Sequence, residues 1–161
     1  MFGADFERRA LDIIALAVDP DDMRVMAKNA QGKSSLVVRA ALHRIIELES
    51  KGAAGSVESD CWSMILAVEE IRRHTRGRKS PMNRLRPKIA KDGEIAALEY
   101  LALHESDGFH EVLEYGMPQL AAEAIVIRHG TPTFSSRAVE KARERLKSVG
   151  LDPDAVAHSP R

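Results

Sequence analysis

The sequence predicts an all-α fold of about nine short helices in a single domain. Three observations carry that reading. Gly32, Gly52, Gly77, Gly93, Gly116, Gly130 and Gly150 each follow an apolar-periodic stretch, where a left-handed residue ends a helix. Pro20, Pro81, Pro118 and Pro153 each stand just inside the start of such a stretch, where a missing amide costs nothing. Alternating apolar and polar runs flanked by hairpin turns are missing.

In chain order, Asp5 is expected to cap a first helix over 5–17, and Asp19-Pro20-Asp21-Asp22 to open a second that ends near Ala30. Ser34 caps a third, over 34–50, whose Val37, Ala40, Ala41, Arg44, Ile45 and Leu48 follow helical spacing and define its inward face. That face leaves Leu42 or His43 partly exposed. After the glycine-rich stretch 52–56, Ser59 caps a fourth helix that ends near His74 and buries Trp62, Ile65 and Ile71. Ser80-Pro81 opens a fifth, which Pro87 should kink or break. The sixth spans 94–104, the seventh 109–115, the eighth 118–129 and the ninth 136–149. Ile45, Leu48, Trp62, Ile65, Leu98, Leu101, Ile125 and Leu146 are the expected core. Residues 1–150 form the domain and 151–161 a frayed tail. Ala124-Ile125-Val126-Ile127 has the β-branched composition of a strand, but its setting after Pro118 and Ala121-Ala122-Glu123 favours helix.

The helix pair over 21–48 and the pair over 107–129 share a plan: acidic opening, short helix, glycine turn, alanine-rich amphipathic helix. In this the chain resembles the paired helices of HEAT and armadillo-like α-solenoids. The resemblance implies a concave binding surface and no chemistry. A non-repetitive helical bundle is the alternative architecture.

Composition narrows function. The chain has 161 residues, 44% hydrophobic and 30% charged, a globular balance. Lys plus Arg and Asp plus Glu both total 24, so any electrostatic function is local. With Cys61 as the one cysteine, neither an intrachain disulfide framework nor a cysteine-rich zinc module exists, which points to a reducing compartment. The longest apolar run, 13–18, is too short to cross a bilayer, so no membrane association and a cytoplasmic location are expected.

The charge is sharply segregated. Arg72, Arg73, Arg76, Arg78, Lys79, Arg84, Arg86, Lys88 and Lys91 put nine cations and no carboxylate into residues 72–91. Residues 92–123 then carry eight carboxylates and no Lys or Arg. One consequence is a phosphate-binding face, which six arginines against three lysines suit. The other is internal pairing of the basic block with the acidic block that follows it, and the adjacency of the blocks favours this. Residues 72–91 contain no aromatic side chain, so stacking on single-stranded bases has no platform there.

Motifs for chemistry are weak. Gly32-Lys33-Ser34-Ser35 ends like a phosphate-binding loop, but Ala27 stands where the first glycine is needed and a helix precedes it. The helix, Gly32 turn and following helix have the size of a helix-turn-helix, yet Leu36, Val37 and Val38 occupy the position of base-reading side chains. His104, Glu105, Asp107, His110, Glu111 and Glu114 form the one local cluster of metal-ligand types, without a His-Glu-x-x-His arrangement. Cys61, in the first turn of its helix, meets a dipole that favours thiolate but has no base within reach.

The sequence therefore points first to a small cytoplasmic helical module that binds a protein partner, with no cofactor and no chemistry of its own. A regulator contacting nucleic acid through the nine cations of 72–91 is the alternative, and a metal-dependent enzyme around 104–114 a further one.

Overall fold

The computed structural model describes residues 3–50 and 52–160. Among them ten α-helices and one 3-10 turn form a bundle without strands. The helices are α1 (Ala4–Leu16), α2 (Pro20–Ala30), α3 (Ser35–Glu49), α4 (Val57–Arg76), α5 (Leu85–Asp92), α6 (Glu94–Leu103), α7 (Asp107–Glu114), α8 (Ala122–His129), α9 (Ser136–Ser148) and α10 (Pro153–Ala157). The 3-10 turn, Pro118–Leu120, leads into α8. The four-residue segment Ala124 to Ile127 lies within α8 and is fully helical.

Local chemistry explains the boundaries. The Asp19 carboxylate accepts the Asp21 amide at 2.9 Å and Pro20 sits in the first turn, so α2 starts where its donors are satisfied. Ser34 Oγ accepts the Val37 amide at 3.2 Å and donates to Glu7 at 2.8 Å, so this hydroxyl is a helix cap tied to α1. Ser56, not Ser59, caps α4: its hydroxyl accepts the Ser59 amide at 3.0 Å, and the helix begins three residues before the expected start. At the other end Gly77, with φ of +74°, supplies the left-handed residue that stops it.

Three further expectations fail. Pro81 does not open a helix: the Met82 amide donates to the Glu69 carboxylate at 2.8 Å, and α5 begins only at Leu85. Pro87 consequently falls in the first turn of α5, where no intrahelical amide is needed, and neither kinks nor breaks it. The described part of the tail, 153–160, is not frayed. Asp152 caps α10 through the Asp154 amide at 3.1 Å, Ala157 is fully buried, and the Ala157 carbonyl accepts from Arg128 at 2.6 Å.

Packing is that of a bundle rather than a solenoid, in which each pair would touch only its neighbours. The long α4 packs against α2, α3, α6, α7 and α8, while α10 closes on α8 and α9. The core includes Ile45, Ile65, Leu98, Leu101, Ile125 and Leu146, as expected, but Leu48 and Trp62 are only half-buried. Leu42 is buried, because α3 is flanked by α1, α2 and α4 and so buries an arc wider than one stripe. Arg44, placed on the expected apolar face, donates to the Ala17 carbonyl at 2.8 and 3.1 Å and closes the end of α1. No helix among the described residues is long and apolar enough to cross a membrane.

Candidate functional site

The fold divides seven of the nine cations of 72–91 between two depressions. Arg72 and Arg73 leave the last turns of α4 on different sides, Arg78 and Lys79 lie in the turn after Gly77, Arg84 precedes α5, and Arg86, Lys88 and Lys91 project from α5. Arg72, Arg84, Lys88 and Lys91 line an open cleft of about 950 Å³ between α5 and the α6–α7 connection. Met82, Leu85, Tyr100 and Leu101 give it an apolar floor, and Glu105, Asp107 and His110 stand on the wall facing α5. Arg73, Lys79 and Arg86 turn to the opposite side, where they share a second depression with Arg24, Glu49, Glu69 and Glu70.

The basic and acidic blocks do not pair along their length. Across them only two ion pairs form among the described residues: Arg72 forks onto Glu111, with Nη2 at 2.7 Å, and Lys88 lies 3.5 Å from Asp92. Arg86 is held from outside the acidic block, by Glu69 at 2.6 and 2.7 Å and by the Trp62 ring at 5.4 Å from its centre. Burial raises the Glu69 carboxyl, but Arg86 and the Met82 amide outweigh it and hold the group below the usual carboxylate range. Arg76 donates to Ser80 at 3.1 Å. Arg73, Arg78, Lys79, Arg84 and Lys91 make no ion pair or side-chain hydrogen bond among the described residues.

Of the acidic block, Glu99 accepts the Ser135 amide at 2.7 Å and Glu123 is bound by Arg145. The expectation of wholesale internal neutralisation is corrected, because these carboxylates have found partners on helices remote in sequence.

The cluster expected at 104–114 does not converge on one point. His104 takes the Tyr100 carbonyl at 2.8 Å and stacks on the Tyr100 ring, its centre 4.2 Å away. Glu111 is occupied by Arg72, and His110 packs edge-on against Phe109. Among the described residues no three His, Cys, Asp or Glu side chains converge. Cys61 is buried, and desolvation, reinforced by Glu94, Asp60 and Glu58, pushes its thiol up to about 12, the reverse of the dipole effect. In the presumed reading helix, Val37 and Val38 face the core.

Buried charge is spoken for by arginine. Asp60, with no exposed side-chain surface, receives Arg128 at 3.1 Å and His129 at 2.7 Å. Glu70 is gripped by Arg24, which also reaches Glu49 at 2.8 Å and Asp21 at 2.7 Å. These networks join helices, and no buried side-chain polar atom among the described residues lacks a partner.

A second surface escapes sequence reading. α1 and α2 both rest on α3 rather than on each other, leaving a groove of about 440 Å³ floored by Ala10, Ala30 and Val37. Phe6 and Ile13 wall one side and Val25 the other, 49, 57 and 59% exposed. Leu16 continues the α1 stripe at 82% exposed. The signal was the double-sided apolarity of α1, whose Ala10 and Ile14 point inward while Phe6, Ile13 and Leu16 point out.

Comparison with models of protein families, with curated proteins and with solved structures finds no match for this chain.

Proposed function

We propose that the chain is a small cytoplasmic interaction module without chemistry of its own, docking a helix in the groove between α1 and α2. The groove is the observation that carries this reading. Large exposed apolar side chains on a single face exceed the scattered singles that monomers tolerate. The occupant is α1 of a second copy. A helix apolar on both faces is stable where both are covered, and α1 has one face on α3 and the other in water. Charge agrees. Arg9 on the α1 wall and Asp22 on the α2 wall make no ion pair among the described residues, so a two-fold axis offers each wall its opposite sign. A reducing cytoplasm suits the buried, unpaired thiol of Cys61.

Light scattering coupled to size exclusion tests this. The expected mass is that of a dimer at high concentration, falling to a monomer in Ile13→Glu and Val25→Glu. Both positions are exposed, so the circular dichroism spectrum should not change. A wild-type protein that stays monomeric at every concentration overturns the second copy as occupant.

A second reading, contact with a nucleic-acid phosphate backbone, is favoured by one observation: six cations of 72–91 have no carboxylate partner among the described residues. Polyanion binding that weakens steeply with salt supports it, and none at low salt excludes it.

A further inference from the structure

The α5 cleft is lined by cations of 72–91 with Asp92 among them, by carboxylates from the start of α7 and the connection before it, and by one exposed aromatic ring. On α5 and just before it stand Arg84 and Lys91, without partners among the described residues, and Lys88, whose hold on Asp92 is a long 3.5 Å. Glu105 and Asp107 are also without ion pairs among the described residues. Tyr100, supplied by α6 and 46% exposed, lines the same cleft. This is the aromatic that residues 72–91 lack. Its ring is braced by His104, nearly parallel at 24°, and the Lys88 ammonium hovers 5.0 Å from its centre.

We infer that this cleft binds a nucleoside phosphate unit, with the phosphate on Arg84, Lys88 and Lys91, the base on Tyr100, and base or ribose donors on Glu105 and Asp107. The inference rests on the phosphate-contact reading for its cations and adds the base. A planar base takes the place over Tyr100 that the Lys88 ammonium now holds, and the freed ammonium turns to the phosphate. Carboxylates accept from exocyclic amino groups and hydroxyls, so the acidic wall is complementary to the far end of the same ligand. That wall repels a second phosphate backbone, and a duplex hides its base faces, so the ligand is a single strand or a free nucleotide. Inorganic phosphate would use only the α5 cations.

The test is fluorescence anisotropy with a labelled oligoadenylate at low salt, challenged with unlabelled duplex, inorganic polyphosphate and AMP. The strand should bind in preference to duplex. Tyr100→Ala should weaken the strand about tenfold while leaving polyphosphate unchanged, and Tyr100→Phe should restore it. Arg84→Ala with Lys91→Ala should weaken strand and polyphosphate alike. Displacement by AMP identifies a free nucleotide as sufficient, and strand binding that AMP does not displace identifies the polymer. If Tyr100→Ala leaves strand affinity intact while polyphosphate competes fully, the base site is wrong and the phosphate face stands. If no polyanion binds at low salt, both are wrong.

Discussion

Asp60 of α4 and Arg128 of α8 meet at 3.1 Å across 68 residues of chain, and the carboxylate has no exposed surface. Arg128 also donates to the Ala157 and Gln119 carbonyls, at 2.6 and 2.9 Å, so one guanidinium ties α4 to α8, to α10 and to the turn before α8. Burying both charges is costly in itself, and the pair offsets that cost only while each member is satisfied. It fixes how the C-terminal helices dock.

Asp60→Ala leaves Arg128 and His129 facing a vacated carboxylate site, and should cost about 3 to 5 kcal/mol of stability. Urea denaturation followed by circular dichroism measures it. A loss below about 1 kcal/mol, typical of an exposed pair, would show that the site hydrates without difficulty.

How far these features could be read from sequence follows from their range. Caps act over three residues, so Asp19 and Ser34 placed the starts of α2 and α3 correctly. The start of α5 was misplaced because the carboxylate that holds the segment before it, Glu69 on the Met82 amide and on Arg86, belongs to another helix. The acidic block was legible as composition, but its partners Ser135 and Arg145 are fixed by packing alone. The candidate cleft was half legible: the cations are contiguous in sequence, while Tyr100 reaches them only because α5 and α6 fold back about Gly93, whose φ is +93°.

The inward face of α3 separates stripe from arc. Leu42, 1% exposed, should cost about 2 to 5 kcal/mol on substitution by Ala, whereas the half-buried Leu48 should cost less. Comparing the denaturation midpoints of Leu42→Ala and Leu48→Ala checks the order. A larger loss at Leu48 would mean that α3 buries only the single stripe of Val37, Ala41, Ile45 and Leu48.

Cys61 should be silent in the folded protein. With its thiol pushed up to about 12 and no exposed surface, it has almost no thiolate at neutral pH and no approach for a reagent. Iodoacetamide should label it in urea and leave it untouched without. Rapid native labelling would place Cys61 at the surface.

The last expectation concerns acid and the anchor of α5. Glu69 is held below the usual carboxylate range because Arg86 and the Met82 amide outweigh the effect of its burial. A depressed carboxyl contributes stability that is present above its unfolded value of about 4.3 and lost as pH falls through the lower folded one. The segment 77–84 and the start of α5 should therefore loosen in acid, since the proton that neutralises Glu69 also weakens its hold on both partners. Glu69→Gln removes the titration, so its stability should fall less steeply than wild type below about pH 4.3, from a lower plateau at neutral pH. Arg86 is 41% exposed, so solvent screens the pair and the plateau difference should be modest. Urea midpoints for wild type, Glu69→Gln and Arg86→Met across the acid range decide it. Parallel curves for all three would show that Glu69 has the same proton affinity folded and unfolded.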